Sequence, residues 1–305
     1  MKGRFKLKDG IGRAGAYLVL GLLWLFHWLP LGAQAAVGRS LGRLLYRAAG
    51  SRRRIALRNL ALCFPQMPQA ERERLAREHF EWAARSILER GLLWYASPER
   101  LKRLIHVEGE IGFAEQHPDT PVMWLVPHFV ALELAGTASQ LFQQRAVVTM
   151  YQTQSNPVFD RALREGRRRF RQGTLFPRTE RVTALLRTIR EGMVFLNLPD
   201  MDFGARDAAF VPFFGVPAAT LLAPSRLSKS LGMKVQPVIT EMLPGGQGYR
   251  VRYLPPWTDF PTDDAIADTL RMNRFIEAEI LKNPAQYLWV HKRFKTRPPG
   301  EASLY

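Results

Sequence analysis

The chain has 305 residues, with 44 Lys and Arg against 27 Asp and Glu, for a net charge of +17. That length accommodates one large α/β domain plus an appendage, and that charge calls for anionic partners: nucleic acid, anionic lipid headgroups, a phosphorylated substrate or an acidic carrier protein. The single cysteine, Cys63, excludes an internal disulfide and a cysteine-built metal cluster, while basic residues spread from Lys2 to Arg297 with no basic tail or zinc-finger spacing argue against nucleic acid.

Residues Met1 to Arg13 are basic, and Ala14 to Val37 are almost wholly apolar, interrupted by His27, Pro30 and Gln34. A bilayer core takes about 20 apolar residues, so this stretch is long enough to span, and its central proline equally suits a kinked segment that enters the membrane partway. With no small-residue cleavage site and more basic sequence after it, the expectation is a permanent anchor over residues 1–40, followed by a catalytic domain over 41–305. Tyr17, Trp24 and Trp28 read as interfacial anchors.

From Gln69 to Tyr95 the spacing of Leu75, Phe80, Ala83, Ile87, Leu88 and Leu92 predicts a long amphipathic helix packed on the core. Ser97-Pro98-Glu99 opens a short helix to Leu104. Strands then alternate with helices: strand 121–126, helix near 130–143, strand 146–150, helix 157–171, strand 174–176, helix 179–190 and strand 193–198. Residues 233–241 and 249–254, joined by Pro244-Gly-Gly-Gln-Gly248, predict a hairpin of antiparallel strands, and 263–282 a last helix. Tyr287-Leu-Trp-Val290 reads as a last strand or a docking segment. The fold class expected is α/β, a mostly parallel mixed sheet flanked by helices, with an N-terminal membrane-anchoring helical segment.

The most informative run is Pro121-Val-Met-Trp-Leu-Val-Pro127-His128-Phe-Val-Ala-Leu-Glu133-Leu-Ala135. It reads as buried strand, tight turn and helix, which sets His128 past the carboxyl end of a strand, where open α/β sheets build their sites. Inside one helix, five steps of about 100° would put His128 and Glu133 roughly 140° apart. They meet only if His128 is in the turn and Glu133 opens the helix, where its carboxylate would orient the imidazole as a general base. A turn histidine beside a solvated glutamate is the alternative reading of the pair.

A His followed five positions later by an acidic residue just after an apolar strand resembles the glycerolipid-type acyltransferases. This version, with Pro-His-Phe-Val-Ala-Leu-Glu-Leu, is similar to the bacterial lipid A biosynthesis late acyltransferases, the lauroyl and myristoyl enzymes. The resemblance extends through Arg52-Arg-Arg-Ile-Ala-Leu-Arg-Asn-Leu-Ala-Leu-Cys-Phe-Pro65, Met150-Tyr151 leading to Asn156-Pro157, Pro199-Asp-Met-Asp-Phe-Gly204, Arg206, Phe-Val-Pro-Phe-Phe-Gly215 and Arg293-Phe-Lys-Thr-Arg-Pro298. It implies acyl transfer from acyl carrier protein to the hydroxyl of a 3-hydroxyacyl chain on a lipid A (lipopolysaccharide) precursor, at the cytoplasmic face of the bacterial inner membrane among anionic lipids. It also gives Gly166-Arg167 a family counterpart, and assigns the Pro199–Arg206 block to the acceptor and active-site region.

The remaining candidates follow from these assignments. His128 and Glu133 are the catalytic pair; Arg167 and Arg206 are expected to bind the anionic acceptor at short range, with Asp200 positioning polar groups. Asp200, Asp202 and Arg206 follow the strand 193–198 at its carboxyl end, where they can face His128. No cofactor is called for, and the two acids Asp200 and Asp202 lack the further ligands of a dedicated metal site. There is no G-x-S-x-G elbow. A different lipid acceptor, such as a lysophospholipid or an amino-lipid, and a non-enzymatic basic membrane-associated scaffold are the competing readings.

Overall fold

A computed structural model describes residues 2–170 and 173–305, with side chains from residue 12 onward. Arg171, at the end of one expected helix, lies outside the described residues. Six helices come first: α1 (Lys2–Phe26), α2 (Leu31–Ala48), α3 (Gly50–Cys63), α4 (Gln69–Leu88), α5 (Arg90–Tyr95) and α6 (Pro98–Leu104). The mixed α/β part follows as β1 (Ile105–Gly109), α7 (Phe113–Gln116), β2 (Val122–Leu125), α8 (Glu133–Phe142), β3 (Val147–Tyr151), α9 (Pro157–Arg167), β4 (Thr174–Pro177), α10 (Val182–Arg190) and β5 (Val194–Asn197). The chain then runs through β6 (Ala208–Phe213), β7 (Val216–Leu221), α11 (Ala223–Leu231), β8 (Lys234–Met242), β9 (Tyr249–Tyr253) and α12 (Ala265–Lys282).

Seven strands form one sheet in the order β1-β9-β8-β2-β5-β3-β4, every pair parallel except β8 with β9. The expected class therefore holds, a mostly parallel mixed sheet flanked by helices. Central β2 is buried at all four positions, as a strand covered on both faces must be. Val122 and Trp124 join one apolar cluster with α8, and Met123 and Leu125 join the other with α12, so the two cores are the two faces of the sheet.

The long helix expected over 69–95 is two. It stops at Leu88, and α5 restarts at Arg90 so that Gly91 can meet α1, where any Cβ would overlap the Leu23 carbonyl. The buried Arg85 and Glu89 pair at 2.8 Å across that break, and Tyr249 on β9 donates to Glu89 at 2.7 Å, which ties the helical layer to the sheet. Arg100 on α6 holds the bend between α1 and α2 by donating to the carbonyls of His27 and Leu29 at 2.6 and 2.7 Å.

A two-stranded hairpin, β6 with β7, stands apart from the main sheet and had no counterpart in the sequence reading. Pro212 and Pro217 face each other in it, which a pair with free outer edges tolerates and a central strand would not. Its turn places Phe214 and Gly215 at φ 49° and 77°, the two positive values of a type I′ turn, and the Phe214 N–H donates to Glu277 at 2.8 Å.

Among the described residues no helix is long and apolar enough to cross a membrane. The N-terminal segment instead folds back at Pro30: α1 lies on α5 and α9, and α2 runs along α4. Ala16 and Leu23 on α1 and His27 just after it are buried, while Tyr17, Leu18, Leu22, Leu25 and Trp28 point outward. Among the described residues the spanning alternative has no helix to carry it, the apolar run being divided at Pro30 between α1 and α2.

One buried histidine makes stability depend on pH. His79 on α4 is fully buried and donates Nδ1–H to the Ala285 carbonyl at 3.1 Å, and burial lowers its pKa from 6.5 to about 4. Between those values the unfolded chain binds a proton that the folded one refuses, so stability is lost as pH falls from 6.5 to 4, on the order of 3 kcal/mol for a shift of that size. His291, also brought down to about 4, first by burial and then by the charge of His128, adds to the same window. Thermal melts from pH 7 to 4.5 should show the midpoint falling steadily, and His79→Asn should flatten that slope; an unchanged slope would mean that other groups carry it.

Candidate active site

The site is built where β2 and β5 end. These neighbours are parallel with Leu125 opposite Asn197, and Val126 N–H donates to the Asn197 carbonyl at 2.9 Å. Each strand then leaves the sheet through a proline, Pro127 and Pro199, followed by a polar residue, His128 and Asp200. Equal steps from an aligned register bring those two side chains together. His128 Nδ1 lies 2.7 Å from Asp200 Oδ1, and the His128 backbone N–H donates to Asp200 Oδ2 at 2.9 Å.

Asp200 is buried, which alone would raise its pKa, but the His128 charge, the hydrogen bonds from His128 and one from Tyr287 together leave it below the ordinary carboxylate range. An ionised carboxylate only accepts, so a ring proton sits on Nδ1, and in the neutral ring Nε2 is then the nitrogen that offers a lone pair. The segment that supplies Tyr287 also fixes the turn: Val130 N–H donates to the Gln286 carbonyl at 2.8 Å and Leu288 N–H to the His128 carbonyl at 3.0 Å. Tyr287-Leu-Trp-Val290, one bridge to Phe129 rather than a full strand, is thus the docking segment of the two expected alternatives.

Glu133 does not meet Nδ1. It opens α8 as expected, yet its carboxylate receives Arg167 Nε at 2.9 Å and Nη2 at 2.6 Å, with Arg90 4.0 Å away. Burial would raise its pKa, but the two guanidinium groups bring it to about 2. The histidine orienter expected at Glu133 is therefore supplied by Asp200, because strand register aligns Asp200 with the ring while the α8 start turns Glu133 toward α9. Arg167 in turn gives Nε and Nη2 to Glu133, so an acceptor reaching it in the cavity would meet a guanidinium already paired with a carboxylate. The glycine before it has a packing reason, since a Cβ at Gly166 would overlap the Trp94 ring.

Arg206, expected to act in a partly dehydrated site, has a side chain 96% exposed and only Asp207 nearby, at 3.7 Å. It stands on the lip of the cavity instead of in its depth. Asp202 is taken up by structure: Thr296 N–H and hydroxyl donate to it at 2.6 and 2.8 Å, Gly204 N–H at 2.9 Å, and its own N–H donates to His291 Nε2 at 3.3 Å. Cys63 is buried, and burial raises its thiol pKa, so it packs as an inert hydrophobe. Tyr287 was missed, and Asp200, expected to face His128 from a strand end, in fact bonds its ring directly, for which the repeated Pro-polar ending of two strands was a readable signal.

His128, Glu133, Arg167 and Arg206 all line one cavity of about 1180 Å³. Apolar residues reach it from both faces of the sheet, Leu163, Val147 and Leu175 on one and Met150, Leu185 and Leu227 on the other. A base with a free lone pair at the mouth of a long apolar cavity is suited to removing a proton from a hydroxyl on a lipid-like molecule.

The sequence profile described as bacterial lipid A biosynthesis acyltransferase matches residues 3–296. Similar proteins include the lipid A biosynthesis lauroyltransferase of Escherichia coli K12, 34% identical over 95% of this chain and 94% of that one. The palmitoleoyltransferase of the same organism is 33% identical over 94% and 92%, and its myristoyltransferase 32% identical over 91% and 89%. With the profile covering nearly all of its length and relatives above 30% identity end to end, the chain belongs to the bacterial lipid A biosynthesis acyltransferase family.

Proposed function

We propose that the protein transfers a fatty acyl chain from the thioester of acyl carrier protein to the hydroxyl of a 3-hydroxyacyl chain on a lipid A precursor. The observation that carries the reading is the His128–Asp200 pair at the mouth of a cavity with apolar walls. His128 Nε2 takes the proton of the acceptor hydroxyl as its oxygen attacks the thioester carbonyl. The tetrahedral intermediate collapses with loss of the thiolate, which recovers the proton from the imidazolium. Asp200, ionised and buried, stabilises that imidazolium and fixes the tautomer; Tyr287 holds Asp200. Glu133 and Arg167 together form the charged wall beside the base, in place of a direct role for Glu133 on the ring.

The same reading places the protein on the cytoplasmic face of the bacterial inner membrane. Tyr17, Leu18, Leu22, Leu25 and Trp28 form an outward apolar face on α1 and the bend after it, and a net charge of +17 favours anionic lipid headgroups. Such a hairpin lies in the interface without crossing. Replacing Leu18, Leu22 and Leu25 by Ser should move the protein from the membrane pellet to the soluble fraction, and unchanged pelleting would place the membrane contact elsewhere.

Mass spectrometry of the products is the decisive assay. Purified protein given an acyl carrier protein thioester and a lipid A precursor should add the mass of one acyl chain, with free carrier released in equal amount. Transfer to a lysophospholipid but not to the precursor would replace this acceptor, and transfer to neither would sink the enzyme reading.

A further inference from the structure

The lip of the cavity carries three guanidinium groups that the acyl-transfer step does not use. Arg178 follows β4, its N–H donates to the Tyr151 carbonyl at 3.0 Å, and its guanidinium lies 3.9 Å from the centre of the Phe203 ring. Phe203 belongs to the loop that brings in Asp200, and Arg206 stands three residues further on. The Asp207 carbonyl then accepts from Leu222 N–H at 3.1 Å, and the Leu222 carbonyl accepts from Arg226 N–H at 3.1 Å. These contacts tie together the segments that carry Arg178, Arg206 and Arg226, and all three residues line the cavity.

Their lack of counter-charge separates them from the other cavity arginines. Arg90 and Arg167 face Glu133, and Arg145 is saturated by the carbonyls of Gly192, Ala114, His117 and Thr120. Among the described residues Arg178 and Arg226 make no ion pair, and Arg206 has only an exposed contact to Asp207 that contributes little. Stacking on Phe203 fixes the plane of Arg178 without neutralising it. A pre-oriented fork lining the same cavity as two further cations, with the exposed Asp207 carboxylate beside one of them, suits a phosphate.

We propose that Arg178, Arg206 and Arg226 form a phosphate-binding site on the cavity lip, which holds a phosphate ester of one substrate while the reacting end of that substrate reaches His128. The identity of that substrate rests on the acyl-transfer reading: the phosphate is either a monoester on the glycolipid acceptor or the diester of the arm that carries the acyl group on its carrier protein. Phosphate binding itself does not depend on that reading.

Two experiments separate these dependencies. In thermal melts of the full chain, inorganic phosphate should raise the midpoint above that in chloride of equal ionic strength, and the double substitution Arg178→Gln with Arg226→Gln should abolish the rise. In transfer assays, Arg178→Gln should raise the apparent KM for the phosphate-bearing substrate roughly tenfold with kcat nearly unchanged, as expected for loss of a charged hydrogen bond. If removing the phosphate from the acceptor erases the difference between variant and wild type, the site belongs to the acceptor; if the KM for the carrier rises instead, it belongs to the donor. A phosphate effect that survives the double substitution, or an equal loss from Arg187→Gln, an exposed arginine outside the cavity, would overturn the site in favour of general surface charge.

Discussion

His128→Ala should lower the rate of transfer by about 100-fold to 10,000-fold, the range over which a positioned general base acts, while folding and membrane recovery stay intact. Asp200→Ala should lower it comparably, which the geometry demands and the spacing of His128 and Glu133 does not. Without Asp200 the ring loses the acceptor that keeps the proton on Nδ1, and the imidazolium forms with no buried anion beside it. The His128 backbone N–H also loses its partner at 2.9 Å, so part of the effect is displacement of the turn.

Stopped assays on the single and double variants distinguish a working unit from two independent contributors. Residues that act as a unit are far from additive, so His128→Ala with Asp200→Ala should be scarcely slower than His128→Ala alone. Multiplying losses would show that Asp200 acts on something other than the imidazole. Near wild-type transfer by Asp200→Ala, with His128→Ala inactive, would return the orienting role to another group.

The sheet was legible because its strands are short apolar runs broken by helical stretches, and the hairpin of β8 and β9 because of its glycine-rich turn. The β6–β7 hairpin was not, since Pro212 and Pro217 disguise strands that sit outside the main ladder. His128 was legible as the residue after a buried strand. Its partner was not, because local spacing names Glu133 while the actual partner is 72 residues away, brought in by pairing between β2 and β5. The same limit applies to the arginines. The sequence reading named Arg167 and Arg206, yet Arg167 pairs with Glu133 and Arg206 stands in solvent, two outcomes that depend on where each cation lies relative to a carboxylate. The N-terminal segment was legible as apolar, but its division between α1 and α2 follows from Pro30 and from the packing of Gly91 and Arg100, neither of which a hydropathy reading contains.

Arg167→Met should destabilise the protein by about 3–5 kcal/mol, because it leaves Glu133 ionised and buried with only Arg90, 4.0 Å away, to balance it. Glu133→Gln should cost less, since Arg167 is about a quarter exposed and can turn toward water. Combining the two removes both charges from the wall, and the double variant should recover most of the stability that Arg167→Met loses. Activity then separates two roles for Glu133. If the carboxylate acts only by holding Arg167 and shaping the wall, transfer should recover along with the thermal midpoint. If Glu133 contributes its charge to the reaction, the double variant will fold well and still transfer slowly, and its deficit will match that of Glu133→Gln alone. The pH dependence gives an independent check. With its pKa near 2, Glu133 contributes stability that is fully present above the unfolded value of about 4.5 and is lost progressively as pH falls from there through 2. Acid inactivation between pH 6 and 4 should therefore persist in Glu133→Gln with an unchanged midpoint, and a shift of that midpoint would mean that the pair is weaker in solution than two contacts at 2.6 and 2.9 Å imply.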